Sequence, residues 1–443
     1  MADSTIIPSP SAFFSLPPAS LFAFPPTTSP AFLLPPPQPG TAASVPPFPI
    51  PEHVYHGLLD PRVPVTVAAL YAVTAKALNA YNKSTGRKPW ALSQTATFRG
   101  FVIAHNIVLA LYSAWTFRGM LGTMRRSMVS PWGPAGLAGF ADSVCRLNGP
   151  AGLGRAAFYD DTLGAWRTRA PDTTDSPVSG SAPSPLDAGR IWNEGLAFYG
   201  WLFYLSKFYE VLDTLVILAK GKLSSTLQTY HHAGAIMCMW AGMRYMSPPI
   251  WMFVLVNSGI HAIMYTYYTL TAFHLRVPMS VKRTLTSLQI TQFLVGASYA
   301  MLHSFVGYYE PVMVTTARQV PAASNASHAS HASHAAAALE TSYAQVAVPC
   351  ITTSGATFAI WLNVLYLAPL TYLFASFFVT SYLRRSSKSG PSKSGTSKPR
   401  NRRLSNGAGH AENAGWDAAR GVEREVYGQG QDEAVVRPST SRG

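Results

Sequence analysis

The chain has 443 residues, of which 48% are hydrophobic and 12% charged. Soluble proteins carry roughly 25% charged residues, so this balance excludes an ordinary water-soluble enzyme and indicates a membrane protein. The formal net charge is +14, but much of the excess lies between Arg384 and Arg403, where no acidic residue intervenes. That placement suits a tail beside an anionic membrane face and argues against a nucleic-acid partner.

Residues 1–60 read as a Pro-rich disordered arm, because prolines remove helix donors throughout it. It lacks the basic start and unbroken apolar stretch of a secretory signal. Seven apolar stretches follow, each near the ~20 residues that a bilayer crossing requires. They run 64–82, 99–119, 195–218, 225–245, 249–271, 285–307 and 355–382. Lys76, Asn79 and Asn82 interrupt the first. The expected fold is therefore an all-α membrane protein, a seven-helix bundle over 61–382. Long loops are expected at 120–190 and 308–354, and a basic disordered tail at 383–443.

The short loops 83–99, 219–224 and 273–284 are basic, so with the tail they belong on the cytoplasmic side, and the amino terminus faces away from it. The loop 308–354 then lies on the non-cytoplasmic side, where Asn325 begins a glycosylation acceptor. His328, His331 and His334 in the same loop read as low-complexity repeat. Three scattered cysteines, Cys145, Cys238 and Cys350, give no expectation of a disulfide framework or a zinc–thiolate site.

Ionisable groups at membrane depth are costly and mark a polar interhelix contact or a functional cavity. Lys207, Glu210 and Asp213 follow one another at i+3 steps on the third span and face one direction. Gln228 stacks on both His231 and His232 at the start of the fourth. Asn257, His261, Met264, Tyr265 and Tyr268 form one stripe on the fifth, and Gln289 and Gln292 are spaced i, i+3 on the sixth. Structural readings stand beside these, a self-neutralising Lys–carboxylate network for the first group and interhelical hydrogen bonds for the two glutamines.

A di-iron centre would need more histidines than the core offers in His105, His231, His232 and His261, with His274 and His303 near helix ends. Two options stay open at this point. One is a zinc site drawing on His231, His232, His261 and Asp213; the other is a metal-free site where histidine attacks or deprotonates a substrate inside the bundle. A seven-helix lipid transporter or receptor is the non-enzymatic alternative, although no paired repeats with broken helices are visible.

Four elements in order, KFYEVLDT at 207–214, the box at 228–232, NSGIHAIMYTYY at 257–268 and TSLQITQF at 286–293, resemble the ELO family of very-long-chain fatty acid elongases, the membrane 3-ketoacyl-CoA synthases. The resemblance extends through DPRVPV at 60–65, GRKPW at 86–90 and the aromatic last span, and covers about 60–382. It implies seven helices in the endoplasmic reticulum membrane, amino terminus lumenal and carboxyl terminus cytoplasmic, around an acyl-chain tunnel. It also implies condensation of a long-chain acyl-CoA with malonyl-CoA to 3-oxoacyl-CoA, with no bound cofactor and no metal. Membrane lipids, and the reductases and dehydratase that complete the cycle, are the implied partners.

On this resemblance His231 is the expected nucleophile and His261 the second histidine. His232 and Gln228 orient the ring or donate to the oxyanion. Glu210 and Asp213 hold the imidazole tautomer, and Lys207 offsets their charge or meets the malonyl carboxylate. Asn257, Tyr265, Tyr268, Gln289 and Gln292 line the substrate, with Lys220, Lys222, Lys282 and Arg283 as candidates for the CoA phosphates. The family box is usually His-x-x-His-His, and here Gln228 stands first. That variant resembles a subgroup of microbial elongases acting on polyunsaturated chains.

Overall fold

A computed structural model describes residues 11–27, 46–148 apart from 134, 157–160, 165–168, 176–177, 189–319 apart from 276, and 337–379. The Asn325 sequon, the histidine repeat at His328, His331 and His334, and the tail at 383–443 lie outside the described residues. In chain order the helices are α1 (Glu52–Leu58), α2 (Arg62–Ser84), α3 (Ala96–Ser127), α4 (Gly136–Cys145), α5 (Ala197–Tyr209), α6 (Val211–Ala219), α7 (Thr226–Arg244), α8 (Ile250–Ala272), α9 (Met279–His303) and α10 (Ser354–Phe378). The strands are β1 (Ala12–Phe14), β2 (Ala157–Asp160), β3 (Ala165–Thr168), β4 (Ser176–Pro177), β5 (Val306–Gln319) and β6 (Ala337–Pro349). The chain divides into two compact units, one of 1–36, 123–194 and 302–357, the other of 37–122, 195–301 and 358–443.

The second unit is helical. On α2 the buried residues Pro64, Ala68, Tyr71, Ala75 and Asn82 follow a helical stripe, while Leu70 and Val73 on the other side are 62% and 66% exposed. Large apolar side chains turned outward are the arrangement a lipid solvent favours. Among the described residues, four helices, α2, α3, α8 and α10, are long and apolar enough to cross a membrane by length and composition. This is a mostly helical, multi-pass membrane protein. Helix α7 packs on α2 and α5, and α8 packs on α5.

The third expected span is two helices that meet at Glu210. Asp213 N–H donates to Glu210 O at 3.1 Å, an i→i+3 bond that tightens the backbone into a 3₁₀-type turn there. Hydropathy reads straight across such a turn. Helix α1 corrects the expectation that 1–60 holds no helix: Pro51 stands at its N-cap, where a missing N–H costs nothing, and Tyr55 is buried with its hydroxyl donating to Ala197 O at 2.8 Å.

The first unit corrects the all-α expectation. Strands β1, β5 and β6 form an antiparallel sheet in that order, with Phe14 opposite Val306 and Gly307 opposite Pro349. A second three-stranded sheet has the order β2, β3, β4. The run Val-Met-Val-Thr-Thr at 312–316 is rich in β-branched residues, which favour strands. Helix α4 packs on β5, and Cys145 at its end is joined to Cys350, just past β6, across a sequence separation of 205 residues. The three scattered cysteines, which gave no expectation of a disulfide framework, thus include one bonded pair. Only the pairing of β6 with β5 brings these distant cysteines within a Cα–Cα distance of 4.8 Å, and spacing along the chain carries no trace of it.

The same unit holds a buried charge cluster. Asp142 is fully buried, accepts from Arg190 Nη1 at 2.8 Å and from the Tyr308 hydroxyl at 2.6 Å, and lies 3.6 Å from Arg146. Arg146 also donates to Glu310 at 2.9 Å. Burial alone would raise the Asp142 pKa; the Arg190 and Arg146 charges, with the Tyr308 hydrogen bond, outweigh it and hold the carboxyl below the ordinary aspartate range.

Candidate active site

The loop before α7 sets where its histidines begin. Gly221 has φ +74°, and a Cβ there would come within 2.8 Å of the Lys88 and Pro89 backbone, so this close approach requires glycine. Asn82 donates to Leu218 O at 2.8 Å and Lys222 O at 2.9 Å, and Asn79 donates to Ser224 O at 2.9 Å. The asparagines that interrupt the first apolar stretch therefore tie α2 to this turn. Ser225 then caps α7, its hydroxyl accepting the Gln228 N–H at 3.1 Å.

A cavity of about 300 Å³ lies within the helical unit. Of the residues singled out from sequence as catalytic or substrate-binding, all line it except Lys207, Lys282 and Arg283. Lys207 is buried, 2.7 Å from Glu210 Oε1, 3.4 Å from Asn257 Oδ1 and 4.0 Å from the centre of the Phe203 ring. It anchors Glu210 rather than facing the cavity. The Arg283 guanidinium lies 5.9 Å from the Phe378 ring. Lys220 and Lys222 do line the cavity, at the turn after α6. Burial, and then the charge of Lys222, hold Lys220 below the ordinary lysine range.

The histidines differ in their partners. The Gln228 side-chain nitrogen lies 2.9 Å from His232 Nε2; an amide NH₂ only donates, so Nε2 is the acceptor and its lone pair is engaged. His231 Nδ1 lies 3.0 Å from the Tyr366 hydroxyl, which also donates to the His231 carbonyl at 2.9 Å. His261 Nδ1 is 3.7 Å from Glu210 Oε1. Asp213 was expected to hold one of these rings. Its bonds run instead to His105 Nε2 at 2.8 Å and to the Tyr265 hydroxyl at 2.6 Å. Gln289 donates to Met264 Sδ at 3.5 Å.

Sequence reasoning counted His105, whose Nδ1 lies 3.2 Å from the Tyr209 hydroxyl, among the core histidines but gave it no role in the site, and it passed over Tyr366. An ionisable group in an apolar stretch was signal enough for His105; Tyr366 is one aromatic among many in a long apolar helix and left none. The zinc donor set left open by the sequence does not assemble. Among the described residues, the ligand atoms that gather within 4.8 Å of one another belong to Cys145, His303 and Cys350, and those two sulfurs are joined to each other.

The model of the ELO family, described as the GNS1/SUR4 family, matches residues 57–390, and the chain belongs to that family. It is 38% identical over 112 residues to very long chain fatty acid elongase 3 of Homo sapiens, covering 25% of this chain and 42% of that protein. It is 31% identical over 123 residues to fatty acid elongase 2 of Trypanosoma brucei brucei, with 28% and 45% covered. To very long chain fatty acid elongase 6 of Homo sapiens it is 33% identical over 134 residues, with 30% and 51% covered. The matched stretches thus span about two fifths to one half of these relatives' lengths. No solved structure matches the chain.

Proposed function

We propose that the protein is a fatty acid elongase that condenses a long-chain acyl-CoA with malonyl-CoA, giving 3-oxoacyl-CoA, carbon dioxide and CoA. The observation that carries the reading is a cavity lined by two adjacent histidines, of which His232 has its Nε2 engaged by Gln228 while His231 is met at Nδ1 by the Tyr366 hydroxyl. The His231 imidazole attacks the thioester carbonyl; a nitrogen–carbon bond forms, the carbon–sulfur bond breaks and CoA leaves as thiolate. Malonyl-CoA loses carbon dioxide, its carbanion takes the acyl carbon, and the electron pair of the nitrogen–carbon bond returns to the ring. Decarboxylation supplies the carbanion, so the cycle calls on no bound cofactor and no metal.

Glu210, anchored by Lys207, orients His261 across the cavity, and Asp213 fixes the Tyr265 hydroxyl. Lys220 and Lys222 meet CoA phosphates, whose negative charge relieves the crowding of two lysines. The protein spans the endoplasmic reticulum membrane seven times, with α5 and α6 as one broken span. Its tail is cytoplasmic and its 120–190 and 308–354 segments are lumenal. The Cys145–Cys350 disulfide supports that side, since such bonds persist in oxidising compartments. The reductases and dehydratase of the elongation cycle act on its product.

The test is direct assay of labelled 3-oxoacyl-CoA from microsomes containing the full chain, given labelled malonyl-CoA and saturated, monounsaturated or polyunsaturated acyl-CoAs. Labelled product above control microsomes is expected, with a polyunsaturated chain preferred; a correctly inserted protein giving none with any chain moves the reading to lipid transport or reception. In the same assay Gln228→His is expected to retain activity, because an imidazole N–H can replace the amide as donor to His232. Gln228→Leu, which leaves that nitrogen unmet, is expected to lose about 10–100-fold. Equal activity in all three would show that the Gln228–His232 bond has no part in the reaction.

A further inference from the structure

Tyr366 lies on α10 beside His231 and is not among the residues that line the cavity. Its hydroxyl meets His231 twice, donating to the backbone carbonyl at 2.9 Å and standing 3.0 Å from ring Nδ1. A phenol has one proton. With that proton on the carbonyl, the same oxygen is an acceptor toward the ring, so Nδ1 must carry hydrogen. The other tautomer would draw the phenol proton to Nδ1 and leave two oxygens 2.9 Å apart with no proton between them.

The tyrosine is held in place independently of the histidine. Its ring stacks on Tyr230 with centroids 5.4 Å apart, and the Tyr230 hydroxyl donates to Tyr366 O at 3.2 Å. Gly234 leaves the space its ring occupies; a Cβ at that position would overlap the ring edge. The glycine three residues after His231 is therefore part of how the ring beside it is oriented.

We propose that Tyr366 is a positioning residue that fixes His231 as the Nδ1–H tautomer and so presents the lone pair of Nε2 to the acyl-CoA. This rests on the elongase reading above and deepens it. The adjacent histidines then differ in one respect: both keep their proton on Nδ1, but Gln228 engages the Nε2 of His232, whereas that of His231 is directed to chemistry. When Nε2 bonds to the acyl carbon and the sulfur leaves with its electron pair, the ring becomes an acyl-imidazolium. Its positive charge is shared by the Nδ1–H that the Tyr366 oxygen accepts, so the same bond orders the free ring and stabilises the charged one.

The test is the single-turnover rate of acyl transfer to the purified full-length protein from a long-chain acyl-CoA without malonyl-CoA, followed by intact mass and by CoA release. Tyr366→Phe keeps the ring on Gly234 and Tyr230 and removes both hydrogen bonds; acylation about 10–100-fold slower is expected, with unchanged acyl-CoA binding and a thermal midpoint near wild type. As a second variant, a difluorotyrosine at position 366 keeps the fold and both bonds but weakens the acceptor oxygen, so a smaller slowing is expected. Wild-type rates in both variants would overturn the positioning role. Absence of acyl-enzyme in the wild type would overturn the histidine-nucleophile reading itself, which separates the two failures.

Discussion

His231→Ala is expected to lower condensation by about 10³-fold or more, with the protein still inserted and folded. The size follows from the role: removing the nucleophile of a covalent route removes the route, whereas removing a group that merely binds substrate raises KM. The fold should tolerate the change, because the ring faces the cavity and its hydrogen bond is to Tyr366, whose own proton stays on the backbone carbonyl. Direct assay of 3-oxoacyl-CoA, beside a melting curve in detergent, checks both halves. Near-normal product from the variant would remove His231 from the nucleophile's place.

Asp142→Ala is expected to destabilise the unit built from 123–194 and 302–357 by about 3–5 kcal/mol. The carboxylate is fully buried, and its loss would leave Arg190, 1% exposed, without the charge that now faces it at 2.8 Å. Protease susceptibility of that unit and thermal unfolding read the effect. The pH dependence has a definite sign. A depressed folded-state pKa gives stability that is complete at neutral pH, persists above the unfolded value near pH ~4, and is lost as pH falls through the folded value. Glu310, raised by burial against the pull of Arg146, acts in the opposite sense, above the ordinary glutamate range. Acid unfolding of this unit should therefore steepen only below pH ~4, and the Asp142→Ala variant should lack that step.

Much of the helical unit was legible because lipid imposes one rule, long apolar runs, and because ionisable groups inside such runs stand out. His231, His232, His261 and Glu210 were found that way, and they do share one cavity. The rule fails where geometry rather than composition decides. Lys207 shares the spacing of Glu210, and of the two places the pattern allowed it, beside the carboxylates or facing the malonyl carboxylate, the 2.7 Å ion pair with Glu210 is the first. Lys282 and Arg283 share the charge of Lys220 and Lys222 but do not line the cavity. Asp213 sits at the spacing of its neighbours, and its partners, His105 and Tyr265, come from other helices.

The first unit was the least legible. Its β1–β5–β6 sheet, its disulfide and the Asp142–Arg190 pair join residues separated by tens to hundreds of positions, and contacts of that range leave no local period to read. Long polar stretches between spans were taken as loops for this reason. Tyr366 was hidden for a different one, since an aromatic residue in an apolar helix looks the same whether it meets lipid or a histidine.

The most direct measurement of the central claim is peptide mapping of the purified protein after incubation with a long-chain acyl-CoA alone, before malonyl-CoA is supplied. The account predicts one acyl group on the peptide that contains His231, discharged as 3-oxoacyl-CoA when malonyl-CoA is added. An acyl group on any other residue, or none on a protein that nonetheless makes 3-oxoacyl-CoA, would contradict it.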